Sequence, residues 1–190
     1  MNKQKLDELD KLTEKIVETP MGDDDIHFYL PKSKVIKYSE LSRYNNIDNL
    51  LNKEKDCAFI LYEDSPNCGH WTCITKMKGV ISYFDSYGKK VDNPLNWTSK
   101  LENIKLKQNR KLLSELLNRC PYKVEYNPIK YQSDNKFKDI NSCGRHCVFF
   151  TKNLLDCDRD LDKYYNFMTE IKNESGNTYD EIVSHLINKI

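Results

Sequence analysis

The sequence predicts an α+β domain: a central mixed β-sheet flanked by helices. Two observations lead there. Apolar residues recur at helical spacing toward both ends of the chain, as Leu6, Leu9, Leu12 and Ile16 and again as Leu161, Tyr164, Tyr165, Met168 and Ile171. Between them lie short runs rich in aromatic and β-branched residues. Glycine and proline, 6 each, are scattered and mark no linker. The 190 residues therefore read as one domain, residues 1–190. It has an N-terminal helix at about 2–18, a core at about 20–155 and C-terminal helices at about 158–190.

The elements follow in order. Residues 2–18 read as an amphipathic helix, which Thr19-Pro20 and the acidic GDDDI (22–26) end. Residues 37–52 read as helix with interruptions. CAFILYE (57–63) is apolar between charged neighbours and reads as a buried strand. HWTCIT (70–75) and VISYFDS (80–86) flank KMKG and read as a hairpin. Leu101, Ile104, Leu112, Leu113, Leu116 and Leu117 suggest one helix over about 99–119. YKVEYN (122–127) is another strand, and CGRHCVFFTKNLL a buried helix starting near Cys143. Thr178 with Glu181 makes a capping box that opens a last helix through Tyr179, Ile182, Val183, Leu186 and Ile190.

Composition narrows the function. The chain is 38% hydrophobic and 31% charged, yet its formal net charge is only +1. No global charge argues for nucleic acid or membrane partners. No run of about 18 apolar residues offers a bilayer span, and MNKQKLDELDKLTEKIVE is too polar for a secretory signal. Seven irregularly spaced cysteines then read as reduced intracellular thiols.

One stretch, NSCGRHCVFF (141–150), carries chemistry. A thiol at Cys143 would sit at a helix N-terminus, where the macrodipole and a nearby imidazolium both favour thiolate. Gly144 would permit a sharp turn and leave room for a substrate chain above the sulfur. In the hairpin, a turn centred on Met77 and Lys78 sets His70 directly opposite Asp85, where a carboxylate orients an imidazole. The duller reading of that pair is a solvated strand end. The Gln132 amide could donate to a developing oxyanion beside the Cys143 N–H. Together these are the parts of acyl transfer through a thioester.

Other readings of the same residues stay in view. Cys147 reads as packing, and His146 as packing or surface. Cys68, His70 and Cys73 with Cys143, His146 and Cys147 could form a zinc site, but neither cluster has CxxC spacing, and Cys73 should point away from Cys68 and His70. Cys143 and Cys147 are poorly placed for a disulfide.

His70-Trp71, FDSYG with Asp85, YQ with Gln132 and SCGRHC with Cys143 stand in an order that resembles the adenain-like and ubiquitin-like-protein proteases, clan CE. The resemblance spans about residues 20–155 and implies that family's cysteine-protease fold. It implies a nucleophile at Cys143, a general base at His70, an orienting Asp85 and an oxyanion donor at Gln132. It further implies that Trp71 packs near the site and that the acidic segment with Asp24 and Asp25 lies near the substrate cleft. Gln132 is 11 residues before Cys143, a longer gap than in the deSUMOylating members, which leaves Asn135 or Asn141 as the alternative donor.

Within the group the chain looks most like maturation proteases of large DNA viruses and virophages. Those cut capsid or core precursors, often after small residues such as Gly. The resemblance implies a monomeric endopeptidase of the virion and the host-cell cytoplasm or viral factory, with no cofactor, no metal and no membrane contact. A weak DNA contact through KLENIKLKQNRK (100–111), or an activating peptide, fits the same picture. The alternatives are a deconjugase of ubiquitin or a ubiquitin-like protein and a non-catalytic zinc-stabilised interaction domain.

Overall fold

The computed structural model describes residues 3–51, 56–134 and 139–188, with side chains from residue 11 onward. Helices α1 (Lys3–Glu18) and α2 (Asp23–Tyr29) precede strand β1 (Lys34–Lys37), a 3-10 turn (Tyr38–Arg43) and the short α3 (Ile47–Leu50). Strands β2 (Cys57–Ser65), β3 (Cys68–Met77) and β4 (Val80–Phe84) follow. A second 3-10 turn (Asn93–Trp97), α4 (Lys100–Lys105) and α5 (Leu112–Asn118) lead to β5 (Lys123–Tyr126). Helices α6 (Cys143–Cys157), α7 (Leu161–Ser175) and α8 (Tyr179–Leu186) close the chain.

Among the described residues the strands form one mixed sheet in sequence order. β1 runs parallel to β2, β2–β3–β4 is an antiparallel meander, and β5 runs parallel to β4. The alternation of β2 and β3 feeds two cores. Phe59, Leu61, Trp71 and Cys73 pack with Cys147, Val148 and Phe150 of α6 and with α7 and α8. Ala58, Ile60, Tyr62 and Ile74 pack on the other face with Tyr38, Leu41, Ile47 and α5. The α+β reading and its mixed sheet between helices are thus what the chain builds.

Four local readings are corrected. β1 is a strand that the sequence pattern did not announce; just after it, the interrupted helix expected at 37–52 is the 3-10 turn followed by α3. The helix expected at 99–119 is two helices. Lys107 takes a left-handed φ of 57°, and the Gln108 amide turns inward to bond the backbone of Glu63 on β2. Leu101 and Ile104 accordingly remain exposed, while Leu112, Leu113, Leu116 and Leu117 are buried. Leu12 of α1, expected on the apolar face, is also exposed. Ile190 lies outside the described residues.

The fourth correction concerns the hairpin. Met77 pairs with Val80, so the turn is Lys78-Gly79, with φ of 50° and 76°. Positive φ at both central residues is the mirror-image turn that matches strand twist, and glycine suits its second position. Cys73 therefore faces Phe84, and the pairing moves by two residues from the expected register. A shift of two keeps every side chain on its face.

Candidate active site

β3 and β4 stop pairing at Cys73 and Phe84. Just beyond, His70 at the start of β3 meets Asp85 at the end of β4. His70 Nε2 lies 3.2 Å from Asp85 Oδ1. They are not directly opposite, as expected, but diagonal, and imidazole and carboxylate together span the offset. The same Oδ1 accepts the Tyr87 N–H at 2.8 Å, and the Asp85 carbonyl accepts from Asn127 Nδ2 at 2.8 Å. Asp85 is fully buried, and its Oδ2 has no hydrogen-bond partner. With Nε2 on Asp85, Nδ1 is the ring nitrogen left for Cys143.

Cys143 is the first residue of α6, with Ser142 as its N-cap. The His70 imidazole and the Cys143 thiol are near enough for each to shift the other's pKa. Burial alone would pull His70 toward neutrality. The Asp85 hydrogen bond and the Cys143 contact outweigh this and raise its pKa to about 9. Burial likewise disfavours the Cys143 thiolate. The hydrogen bond and charge of His70, with the N–H groups of Trp71 and Gly144, outweigh that and lower its pKa. Both shifts favour one state, thiolate beside imidazolium, at the positive end of a helix.

A cleft of about 330 Å³ opens beside the sulfur, lined among others by Met21, Gly22, Asp23, Gly69, Trp71 and Asn141. Trp71 donates its Nε1–H to the Met21 carbonyl at 2.9 Å. Asp23 reaches the cleft; Asp24 and Asp25, expected there, do not line it. Asp25 instead folds back to accept the Gly22 N–H at 3.0 Å, fixing the start of α2. Gly144 makes no sharp turn. It lies within α6, where a Cβ would come 2.9 Å from Met21 Cβ and 3.4 Å from Trp71 Cδ1. Its missing side chain makes room for Met21, which itself lines the cleft.

Gln132 is buried. Its Oε1 accepts from Ser86 Oγ at 2.7 Å and its Nε2 donates to the Ile140 carbonyl at 2.9 Å. Only nitrogen can donate to a carbonyl, so these two bonds fix the amide's orientation and leave one N–H. Asn141 has its own engagement: its N–H donates to the Val17 carbonyl and its Nδ2 to that of Glu18. Asn135 lies outside the described residues.

A second histidine–carboxylate pair joins α6 to α8. His146 is fully buried, not on the surface, and its Nε2 lies 3.0 Å from Asp180 Oδ1 of α8. Asp180 also accepts from Ser142 Oγ at 2.5 Å and from the Ser133 N–H at 3.0 Å. One carboxylate thus ties the residue before Cys143 to the residue after Gln132. Burial works against its charge, but His146, Ser142 and Ser133 hold its pKa below the usual range. Sequence reasoning missed Asp180, because nothing in a capping box announces a buried partner across the fold.

It missed Tyr87 and Trp97 too. Tyr87 stacks on His70 with ring centres 5.2 Å apart, and Trp97 meets the imidazole at 5.0 Å and 65°. The residues weighed as zinc ligands are divided: Cys68 is exposed at the cleft, whereas Cys73 and Cys147 lie in the core beneath α6. Among the described residues no three His, Cys, Asp or Glu side chains converge as metal donors. No described helix is long and apolar enough to cross a membrane. The basic residues of 100–111 are exposed, but Lys105 and Arg110 are already paired with Glu102 and Glu115.

No family model matches the chain. Among solved structures it is similar to the C-terminal Ulp1 protease domain in complex with Smt3, the yeast ortholog of SUMO. The identity is 18% and the TM-score 0.37, over 90% of this chain and 77% of that one. Among curated proteins, "Uncharacterized protein V9" of Sputnik virophage is 32% identical over 154 residues, covering 80% of this chain and 85% of the relative. The chain belongs to the family of Sputnik virophage protein V9.

Proposed function

We propose that the protein is a cysteine endopeptidase with Cys143 as nucleophile, His70 as general base and acid, Asp85 as the group that orients His70, and Gln132 as oxyanion donor. The observation that carries this is the buried chain of contacts from Cys143 through His70 to Asp85 at a helix N-terminus, with a cleft beside the sulfur. A buried thiol whose pKa falls against its own desolvation is what nucleophilic catalysis needs. The Cys143 thiolate attacks the scissile carbonyl. The oxyanion rests on the Cys143 N–H and the remaining Gln132 N–H. His70 passes its proton to the leaving amine, and water then hydrolyses the thioester with His70 as base.

The substrates in this reading are capsid or core precursors, cut after small residues such as Gly, in the virion or viral factory. Support comes from kinship with a virophage protein and from the motif order His70, Asp85, Gln132, Cys143. The test is mass spectrometry of precursor proteins and a Gly-rich peptide library incubated with wild type and with Cys143→Ala. Cuts made by the wild type alone bear the reading out. Labelling of Cys143 by a ubiquitin-like electrophilic probe, with no precursor cut, replaces it with a deconjugase.

A further inference from the structure

We propose that Tyr87 and Trp97 form the subsite for the first residue of the leaving group, and that it takes a large apolar or aromatic side chain. The inference rests on the endopeptidase reading. In that chemistry the acid that protonates the departing amine must reach it directly. The chain just after the scissile bond therefore passes over His70, while the acyl part stays by Cys143.

The surfaces on the two sides of the reacting pair are separate. The cleft beside Cys143 is lined by Met21, Gly69 and Trp71 and includes neither Tyr87 nor Trp97. Those two rings flank His70 instead, at 5.2 and 5.0 Å, and meet each other at 5.5 Å and 83°. They make a two-walled aromatic corner against the imidazole. Trp97 is 48% exposed. A residue that served only to shield His70 from water would be covered; this one stays about half exposed. A side chain entering the corner removes that apolar face from water and meets rings placed for edge and face contacts. A glycine there gains neither.

The test sequences the cut sites left in a peptide library by wild type, Trp97→Ala and Trp97→Phe. We expect Phe, Tyr, Leu and Met directly after the cut to be enriched about tenfold with wild type, in the range one apolar pocket supplies. Trp97→Ala should flatten that preference, and Trp97→Phe keep part of it. Residues before the cut should be the same with all three. Cuts with no preference after the scissile bond overturn the subsite and leave the endopeptidase standing. So does a preference that survives Trp97→Ala, or a uniform slowing with preferences unchanged, since Trp97 would then act only through His70. No cuts by wild type overturn the endopeptidase reading and the subsite with it.

Discussion

His70 and Asp85 bond at 3.2 Å although they are not partners across the hairpin that carries them. The pair forms past the last β3–β4 rung: His70 is held by its pairing with Tyr62 of β2, and Asp85 by the Tyr87 N–H and by Asn127. Its geometry thus depends on β2 and on the loop after β4 rather than on the hairpin's own ladder.

Replacing Asp85 by Asn keeps the shape and removes the charge. The His70 imidazolium then loses its stabilising partner, and kcat should fall by about 10²–10⁴. Steady-state kinetics on any cleaved peptide checks this, with KM expected to change little. An unaltered kcat would remove Asp85 from the mechanism.

The pH profile of cleavage should be broad and bell-shaped. Cys143 is lowered and His70 is raised to about 9. The thiolate–imidazolium pair therefore extends below the pH at which an ordinary thiol ionises and reaches up to about 9. Below the lowered thiol pKa, Cys143 gains a proton and the nucleophile is lost. Above about 9, His70 loses its proton and with it the acid for the leaving amine. The measurement is kcat/KM against pH. Removing His70 by His70→Ala should abolish cleavage across the range.

Gln132→Ala removes one oxyanion donor and should lower kcat by about 10²–10³. The alkylation rate of Cys143 should stay near wild type, since that reaction develops no oxyanion. A parallel fall in both rates would mean that the substitution had disturbed Cys143 through the Ile140 and Ser86 bonds.

Asp180→Ala leaves the buried donors of Ser142 and His146, and the partly buried Ser133 N–H, without their acceptor. Each unsatisfied buried donor costs about 1–3 kcal/mol, so Tm should fall by several degrees. Cleavage by the protein that remains folded should fall as well, because Ser142 and Ser133 adjoin Cys143 and Gln132. Asp180→Asn, which keeps an acceptor oxygen, should recover part of both.

The chemistry was more legible in the sequence than the packing. Cys143 at a helix start, His70 and Asp85 at the ends of adjacent strands, and Thr178 with Glu181 are local patterns that tertiary structure left in place. The register departs from the expected one because the turn falls on Lys78-Gly79, where Gly79 suits the positive φ that a two-residue hairpin needs. The helix over 99–119 was misjudged because its apolar spacing hides a break that Gln108 makes by reaching Glu63. Asp180, Trp97 and Met21 join the site only through contacts between distant segments, which no spacing along the chain encodes. Of the acidic segment, Gly22 and Asp23 line the cleft, while Asp24 and Asp25 follow in the first turn of α2.

The central claim is that Cys143 is an activated thiolate. The most direct test is limited alkylation with iodoacetamide at about pH 6, well below an ordinary thiol pKa, with the labelled site read by mass spectrometry. Cys143 is only 9% exposed, whereas Cys68 and Cys157 are open to solvent. The account predicts that Cys143 is labelled first all the same, and that His70→Ala abolishes this lead. Labelling that follows exposure, with Cys68 and Cys157 first and Cys143 unreactive in the folded protein, would contradict it.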